Sequence, residues 1–194
     1  MANPVIYSTT NMEGVDVNSV FYLDTKSYPE YPAQPFVAGT QAYGTDGSAW
    51  VYATSSVSLA NGAVVIVSEI PGSWSVALVG GSTIGTAPTG DLIGVVAGGN
   101  GSLVVGAPSG TQTASYFWLQ RAGNCQALLV SSAGQTKDAQ LYCTKTLAGY
   151  VSSTAGGAAS TYQVNGIVIS QNTASTIAGQ NTAILNYPVV GTSA

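Results

Sequence analysis

Three turn dipeptides, Asp46-Gly47, Asn61-Gly62 and Asn100-Gly101, cut the middle of the chain into short runs rich in β-branched and aromatic residues. Asp-Gly and Asn-Gly tolerate positive φ, so each reads as a hairpin turn between flanking strands. Gln41–Thr45 and Ser48–Ala53 flank the first, Val57–Leu59 and Ala63–Val67 the second, and Leu92–Val96 and Leu103–Val105 the third. Further strands are expected at Ser75–Val79, Ser115–Gln120, Gln126–Val130, Ala139–Thr144, Tyr162–Ser170 and Thr182–Val190. No window sustains a 3.6-residue apolar period with caps, so any helix is short. Strands at roughly 8–12-residue spacing with turns between them predict an all-β fold, an antiparallel β-barrel or β-sandwich of about ten short strands. One barrel and two subdomains divided near Gly110 both fit this pattern.

The first 36 residues read differently. They hold four of the chain's 8 prolines, Pro4, Pro29, Pro32 and Pro35. They also carry the aromatic residues Tyr7, Phe21, Tyr22, Tyr28, Tyr31 and Phe36. Proline removes a backbone donor and fixes φ, so Ser27–Phe36 is neither helix nor central strand. Residues 1–36 are therefore expected to form an extended N-terminal arm on a β domain of residues 37–194. Its rings must be buried, either on the chain's own domain or on a partner.

Charge narrows the function. Lys and Arg number 4, Asp and Glu 8, and together they make 6% of the 194 residues, against roughly 25% in an ordinary soluble domain. Serine (22) and threonine (20) take the place of surface charge. Histidine is absent, which removes Ser-His-Asp and Cys-His catalysis and His-ligated metal. Four cations cannot track a phosphate backbone, so no nucleic-acid partner is expected. The tight apolar run Ala63–Val67 is far short of the ~20 residues that span a bilayer, so no membrane partner is expected either. The opening MANPVIYSTTNMEG has neither a basic nor an apolar signal region, which points to synthesis in a cytoplasm, where the protein stays or from which it is released by lysis. The charges are unevenly placed: six acids lie in the first 69 residues, and Lys145 is the sole charge from Ala139 to Ala194. So neutral a surface favours self-association and suits a subunit of a large assembly.

Sites for chemistry are sparse. Asp46, Glu69 and Asp91 are the acids that could face one another as a glycosidase pair, but each adjoins a turn glycine or proline, the ordinary place for a solvated acid. A Ser-Lys nucleophile would need Lys26, Lys137 or Lys145 buried beside a serine. No phosphate-binding glycine motif is present, since Gly98, Gly99 and Gly101 do not form G-x-G-x-x-G. The reading is of a chain that is not an enzyme and takes no cofactor and no metal. Trp50, Tyr52, Trp74, Tyr116 and Trp118 either stack on sugars or serve as core and subunit-interface residues. A loop centred on Gly134 would set Cys125 opposite Cys143, as a cross-strand pair of reduced, buried thiols or as a disulfide formed after lysis.

The order of motifs resembles the capsid decoration, or cement, proteins of tailed phages. The features that carry the resemblance are Val37-Ala-Gly-Thr, Gly44–Ala53, Val57–Val67, Ser115–Gly123, Thr146–Tyr150, Asn165–Ile167 and Ala183–Val189. They cover about Val37 to Val190 and leave out the arm. Phe117, where the family usually has Gly, and the very low charge depart from the pattern. The resemblance implies a structural virion protein, attached to the outer surface of a capsid and stabilising the shell. It implies the major capsid protein as partner and a homo-oligomer, a trimer in preference to a dimer. The arm aromatics Tyr7, Phe21, Tyr22, Tyr28, Tyr31 and Phe36 would then lie on the capsid. The competing class is a receptor- or glycan-binding module of a tail fibre or surface lectin.

Overall fold

The computed structural model describes residues 6–8, 15–24, 35–68, 73–80, 91–98, 102–129, 137–143, 147–153, 162–170 and 179–193. These form an all-β fold, as the turn spacing predicts. Its strands are β1 (Ile6–Ser8), β2 (Val20–Asp24), β3 (Gln41–Gly44), β4 (Ala49–Ser55), β5 (Val64–Ser68) and β6 (Ser75–Leu78), followed by β7 (Leu92–Val95), β8 (Gln112–Leu129), β9 (Leu141–Cys143), β10 (Val151–Ser152), β11 (Tyr162–Ile169) and β12 (Gly179–Ser193).

The pairings close two circuits. In the first, β4 pairs with β6, β6 with β5, β5 with β7, β7 with β8, and β8 returns to β4. In the second, β8 pairs with β12, β12 with β11, β11 with β9, β9 with β10, and β10 returns to β8. Most pairings are antiparallel; β4–β6 and β8–β10 are parallel, each through a single residue pair. Closing a sheet on itself satisfies the edge hydrogen-bonding groups that an open sheet leaves bare.

Both circuits share β8, which the sequence divided into two strands. It is one strand of 18 residues. Its first half pairs with β4 as far as Ala49↔Ala122, and its second half pairs with β12 from Asn186↔Ala122 onward. The changeover is at Gly123, whose φ is +91° and whose missing Cβ would stand 2.9 Å from Ser48 Cα. Only glycine sits there without strain. β8 therefore belongs to both circuits, with its pairing partner changing at Gly123.

The two circuits have separate cores, and the pleat of β5 and β7 divides them. Val65 and Val67 join Phe117, Leu119 and Leu59 in one core, while Val64 and Ile66 join Cys125, Leu141 and Ile169 in the other. Successive side chains on a strand point to opposite faces. That is why Ala63–Val67 is an unbroken apolar run: β5 is buried on both faces. Gly94 on β7 leaves room for Leu119, whose Cδ2 would lie 2.5 Å from an added Cβ.

The turns depart from expectation in instructive ways. The Asp46-Gly47 hairpin forms, but with a three-residue loop: Tyr43 pairs with Ala49, and Gly44 N–H donates to Ser48 C=O at 2.8 Å. Asp46 accepts from the Ser48 N–H and hydroxyl at 3.0 and 2.6 Å, the ordinary work of a turn acid. Asn61-Gly62 does not close a hairpin. Leu59 bridges to Val105, while Gly62 donates to Val96 and accepts from Leu128. Asn100-Gly101 lies outside the described residues.

The described parts of residues 1–36 pack on the chain's own domain, one of the two alternatives. Val20–Asp24 pairs antiparallel with β8 from Val20↔Phe117 to Asp24↔Gln112, and Tyr7 of β1 pairs with Tyr43 of β3. Val15 and Val17 are buried against Trp50, Tyr52 and Trp118, with Phe36 against the same cluster. The prolines misled the reading because they flank these segments rather than interrupt them. Val15, Val17, β2 and Phe36 thus pack against strands of residues 37–194.

Candidate functional site

The site begins with a defect in the β4–β8 ladder. Ala49 pairs with Ala122 and Trp50 with Gln120, so Arg121 is the extra residue of a β-bulge. Bulges re-aim side chains and gather next to functional sites. Two carbonyls around the bulge are met by Gln120, itself buried, whose Nε2 donates to Ala122 C=O at 3.0 Å and Asn124 C=O at 2.9 Å. That clamp ties the Gln120 side chain to the backbone that follows Arg121. Arg121 is 7% exposed, unusually buried for arginine.

A second irregularity faces it. Between Asn165↔Val189 and Ile167↔Leu185, β12 advances four residues while β11 advances two. The excess of two residues falls within Asn186–Pro188. Gly166 makes room, since a Cβ there would meet Asn186 O at 2.6 Å and Pro188 Cα at 2.9 Å. Tyr187, in that excess, has φ 47°. Trp74, just before β6, has φ 42°. Its indole approaches Gly39 so closely that an added Cβ would stand 2.2 Å from Nε1. Bulky residues rarely adopt positive φ, and such strain persists only where the surroundings enforce it.

Arg121, Trp74 and Tyr187 line one half-open cleft of about 120 Å³, completed by Gln41, Tyr43 and Leu92 with parts of β4. The Tyr43 hydroxyl donates to Gln41 Oε1. The lining of the cleft thus combines one amide, two phenols and an indole with the largely buried Arg121. Amide and phenol groups can donate and accept hydrogen bonds, and aromatic side chains add apolar area. The cleft holds no nucleophile with a base, and no cluster of three or more metal-ligating residues exists among the described residues.

The residues singled out from sequence fall elsewhere. Trp50, Tyr52 and Trp118 are buried in the chain's own core and Tyr116 is half-buried, so they are core aromatics rather than an exposed platform. Their rings form a tight group: Tyr52 lies 5.1 Å from Trp118 and stacks on Tyr116 at 5.8 Å. Phe36 closes it edge-on, 5.0 Å from Trp118 and 5.4 Å from Tyr52, and Phe21 adds a contact with Tyr116 at 6.4 Å. Burial, reinforced by Tyr116, pushes the Tyr52 phenol well above its ordinary pKa. Phe21, Tyr22 and Phe36 therefore serve the chain's own fold; Tyr28 and Tyr31 lie outside the described residues.

The cysteine reading needs correction. Cys125 pairs with Ala183, and Cys143 pairs with Val151 and Tyr162, so the two are not opposite each other on neighbouring strands. β10 lies between β8 and β9 on one side of the circuit, and β12 and β11 lie between them on the other, where a local hairpin was expected. Both thiols are free and buried in the same core. Burial pushes each up to about 12. Of the acids, Asp46 is exposed and Asp91 half-buried, with its carboxyl raised by desolvation; Glu69, Lys26 and Lys145 lie outside the described residues.

Sequence reasoning noticed Trp74 but missed Arg121 and Tyr187. A lone arginine in so uncharged a chain was the available signal. No family model matches the chain, and no curated protein matches it in sequence. No described helix is long and apolar enough to cross a membrane.

Proposed function

We propose that the chain is a structural subunit of a phage particle, a decoration protein that binds the outer surface of the capsid and stabilises the shell. The observation that carries this reading is an uncharged outer face on the second circuit. Val168, Ile184 and Asn124 follow one another across β11, β12 and β8, with Thr182 beside Gln126 in the next row. All five are exposed, and none is charged. Val168 and Ile184 are large apolar residues 38% and 43% exposed. A face of amides, hydroxyls and apolar side chains docks without desolvating charge, and its neutrality favours association.

A decoration protein stabilises by mass action, binding the assembled shell and not the free subunit. Copies arranged around a symmetry axis multiply a modest contact into avidity. The partners are then the major capsid protein and further copies of this chain, with a trimer preferred. The glycan-binding alternative loses Trp50, Tyr52 and Trp118 from its platform, since these three are buried.

The test is co-sedimentation of the purified chain with undecorated capsids, compared with a Val168→Glu/Ile184→Glu variant. Both positions are exposed, so the variant should fold unchanged. Saturable binding at fixed stoichiometry by the parent, lost in the variant, supports the reading. Equal binding by both, or none by the parent, overturns it.

A further inference from the structure

We infer that Asn165 is a site of spontaneous deamidation, a self-modification that the fold permits there and suppresses at Asn61. Both asparagines precede a glycine, which has no Cβ to shield its amide nitrogen. The nitrogen of Gly166 attacks Cγ of Asn165. A new N–C bond forms and the Cγ–Nδ2 bond breaks. Nδ2 leaves as ammonia, taking up the proton that the attacking nitrogen gives away. Water then opens the resulting succinimide at either carbonyl and leaves aspartate or isoaspartate. Water is the one co-reactant, and nothing is oxidised or reduced.

The two dipeptides are alike in residue type and in backbone, with φ +79° at Gly62 and +84° at Gly166. Their surroundings separate them. Gly62 is buried, its N–H donates to Val96 C=O at 2.6 Å, and its C=O accepts from Leu128 N–H at 2.8 Å. Asn61 is half-buried with its Oδ1 enclosed, and its C=O accepts from Gln180 Nε2 at 3.1 Å. Ring closure at Asn61 therefore has to break the Gly62 hydrogen bond first. Asn165, in contrast, is exposed. The β11–β12 register passes from Asn165↔Val189 to Ile167↔Leu185, so Gly166 has no partner residue in that ladder, and β9 pairs with β11 only as far as Val164. A residue at such a break is not held by the ladder, and local opening there is cheap. Asn165 and Val168 are exposed while Val164, Ile167 and Ile169 are buried. The new carboxylate thus stands on the uncharged outer side of β11. Its consequence for docking rests on the reading proposed above, whereas the chemistry itself does not.

The experiment incubates the purified chain in mildly alkaline water enriched in the heavy oxygen isotope, once folded and once unfolded in guanidinium chloride. Chymotryptic peptide mapping with tandem mass spectrometry follows Asn165 and Asn61 separately. In the folded chain Asn165 should take up heavy oxygen about tenfold faster than Asn61, the worth of the one net hydrogen bond that restrains Gly62. In guanidinium chloride the two should react at similar rates, which assigns the difference to the fold. The rate at Asn165 should rise with pH, because the attacking nitrogen must lose its proton. Asn165→Gln should take up none at that position, since its longer side chain disfavours the five-membered ring. Asn165 keeping its amide in the folded chain while losing it in guanidinium chloride overturns the inference. So does Asn61 reacting as fast as Asn165 in the folded chain. Neither result bears on whether the chain binds capsids, which co-sedimentation reads on its own.

Discussion

Gly123→Ala tests whether the two circuits depend on their shared strand. Gly123 has φ +91°, and a Cβ there would stand 2.9 Å from Ser48 Cα, 3.1 Å from Ser48 Cβ and 3.3 Å from Ser48 N. The left-handed conformation costs an alanine about 1–2 kcal/mol. The approach to Ser48 backbone adds about 1–3 kcal/mol of overpacking, since no flexible side chain can yield. The sum, about 2–5 kcal/mol, is a large part of the roughly 5–15 kcal/mol by which domains are stable. Two glycines separate the terms. Gly110 has φ +64° with nothing within 4 Å of the added atom, so Gly110→Ala should show the conformational cost alone. Gly179 has neither a positive φ nor a neighbour within 4 Å, and its alanine variant should be neutral or stabilising by about 0.4–1 kcal/mol. Urea denaturation of the three variants, at unchanged slope, reads the differences directly. An order other than Gly179, Gly110, Gly123 in rising cost would refute the reasoning. So would a Gly123→Ala cost no greater than that of Gly110→Ala, since the contact with Ser48 would then carry nothing.

Phe36→Ala should cost about 2 kcal/mol, from a half-buried ring and its two edge contacts with Tyr52 and Trp118, and should shift tryptophan emission to the red as Trp118 is uncovered. The buried thiols, raised to about 12 from an ordinary 9.0, ionise in the unfolded chain first, so stability falls as pH rises from 9 toward 12. At pH 10 the loss is about 1–2 kcal/mol per thiol. The stability gap between the parent and a Cys125→Ala/Cys143→Ala variant should therefore narrow by about 3 kcal/mol between pH 8 and pH 10 in urea titrations, and an unchanged gap would contradict the burial. Removing residues 1–36 takes away β2 and the cover over Trp50, Tyr52 and Trp118, so the truncated chain should be cleaved by protease much faster than the parent; equal resistance would show that the segment is dispensable.

Turn dipeptides and alternating apolar runs made the all-β class legible, because both depend on a few neighbouring residues. Most strands fell where β-branched and aromatic residues cluster, and Ala63–Val67 announced burial on both faces through its lack of alternation. Pairing was less legible. Asn61-Gly62 has the local chemistry of a hairpin turn, yet Leu59 pairs with Val105 because the closed circuit supplies a better partner than the adjacent strand. The Cys125–Cys143 register failed for the same reason, with β10 and β12 taking the places a local hairpin would have filled. The cleft was least legible. Arg121, Trp74 and Tyr187 are far apart in the chain, and the bulges and left-handed backbone that bring them together leave no local motif.

The sequence by itself determined that this chain is built of strands, that it carries almost no charge, and that histidine chemistry is closed to it. These follow from residue identity and nearest neighbours. Tertiary structure alone decided that β8 would serve two circuits, that the aromatics of β4 and β8 would be covered by residues 15–24 and Phe36, and that one buried arginine would share a cleft with two strained aromatics. Strand pairing joins residues distant in sequence, and which partners win depends on the free energy of the whole closed sheet rather than of any one turn.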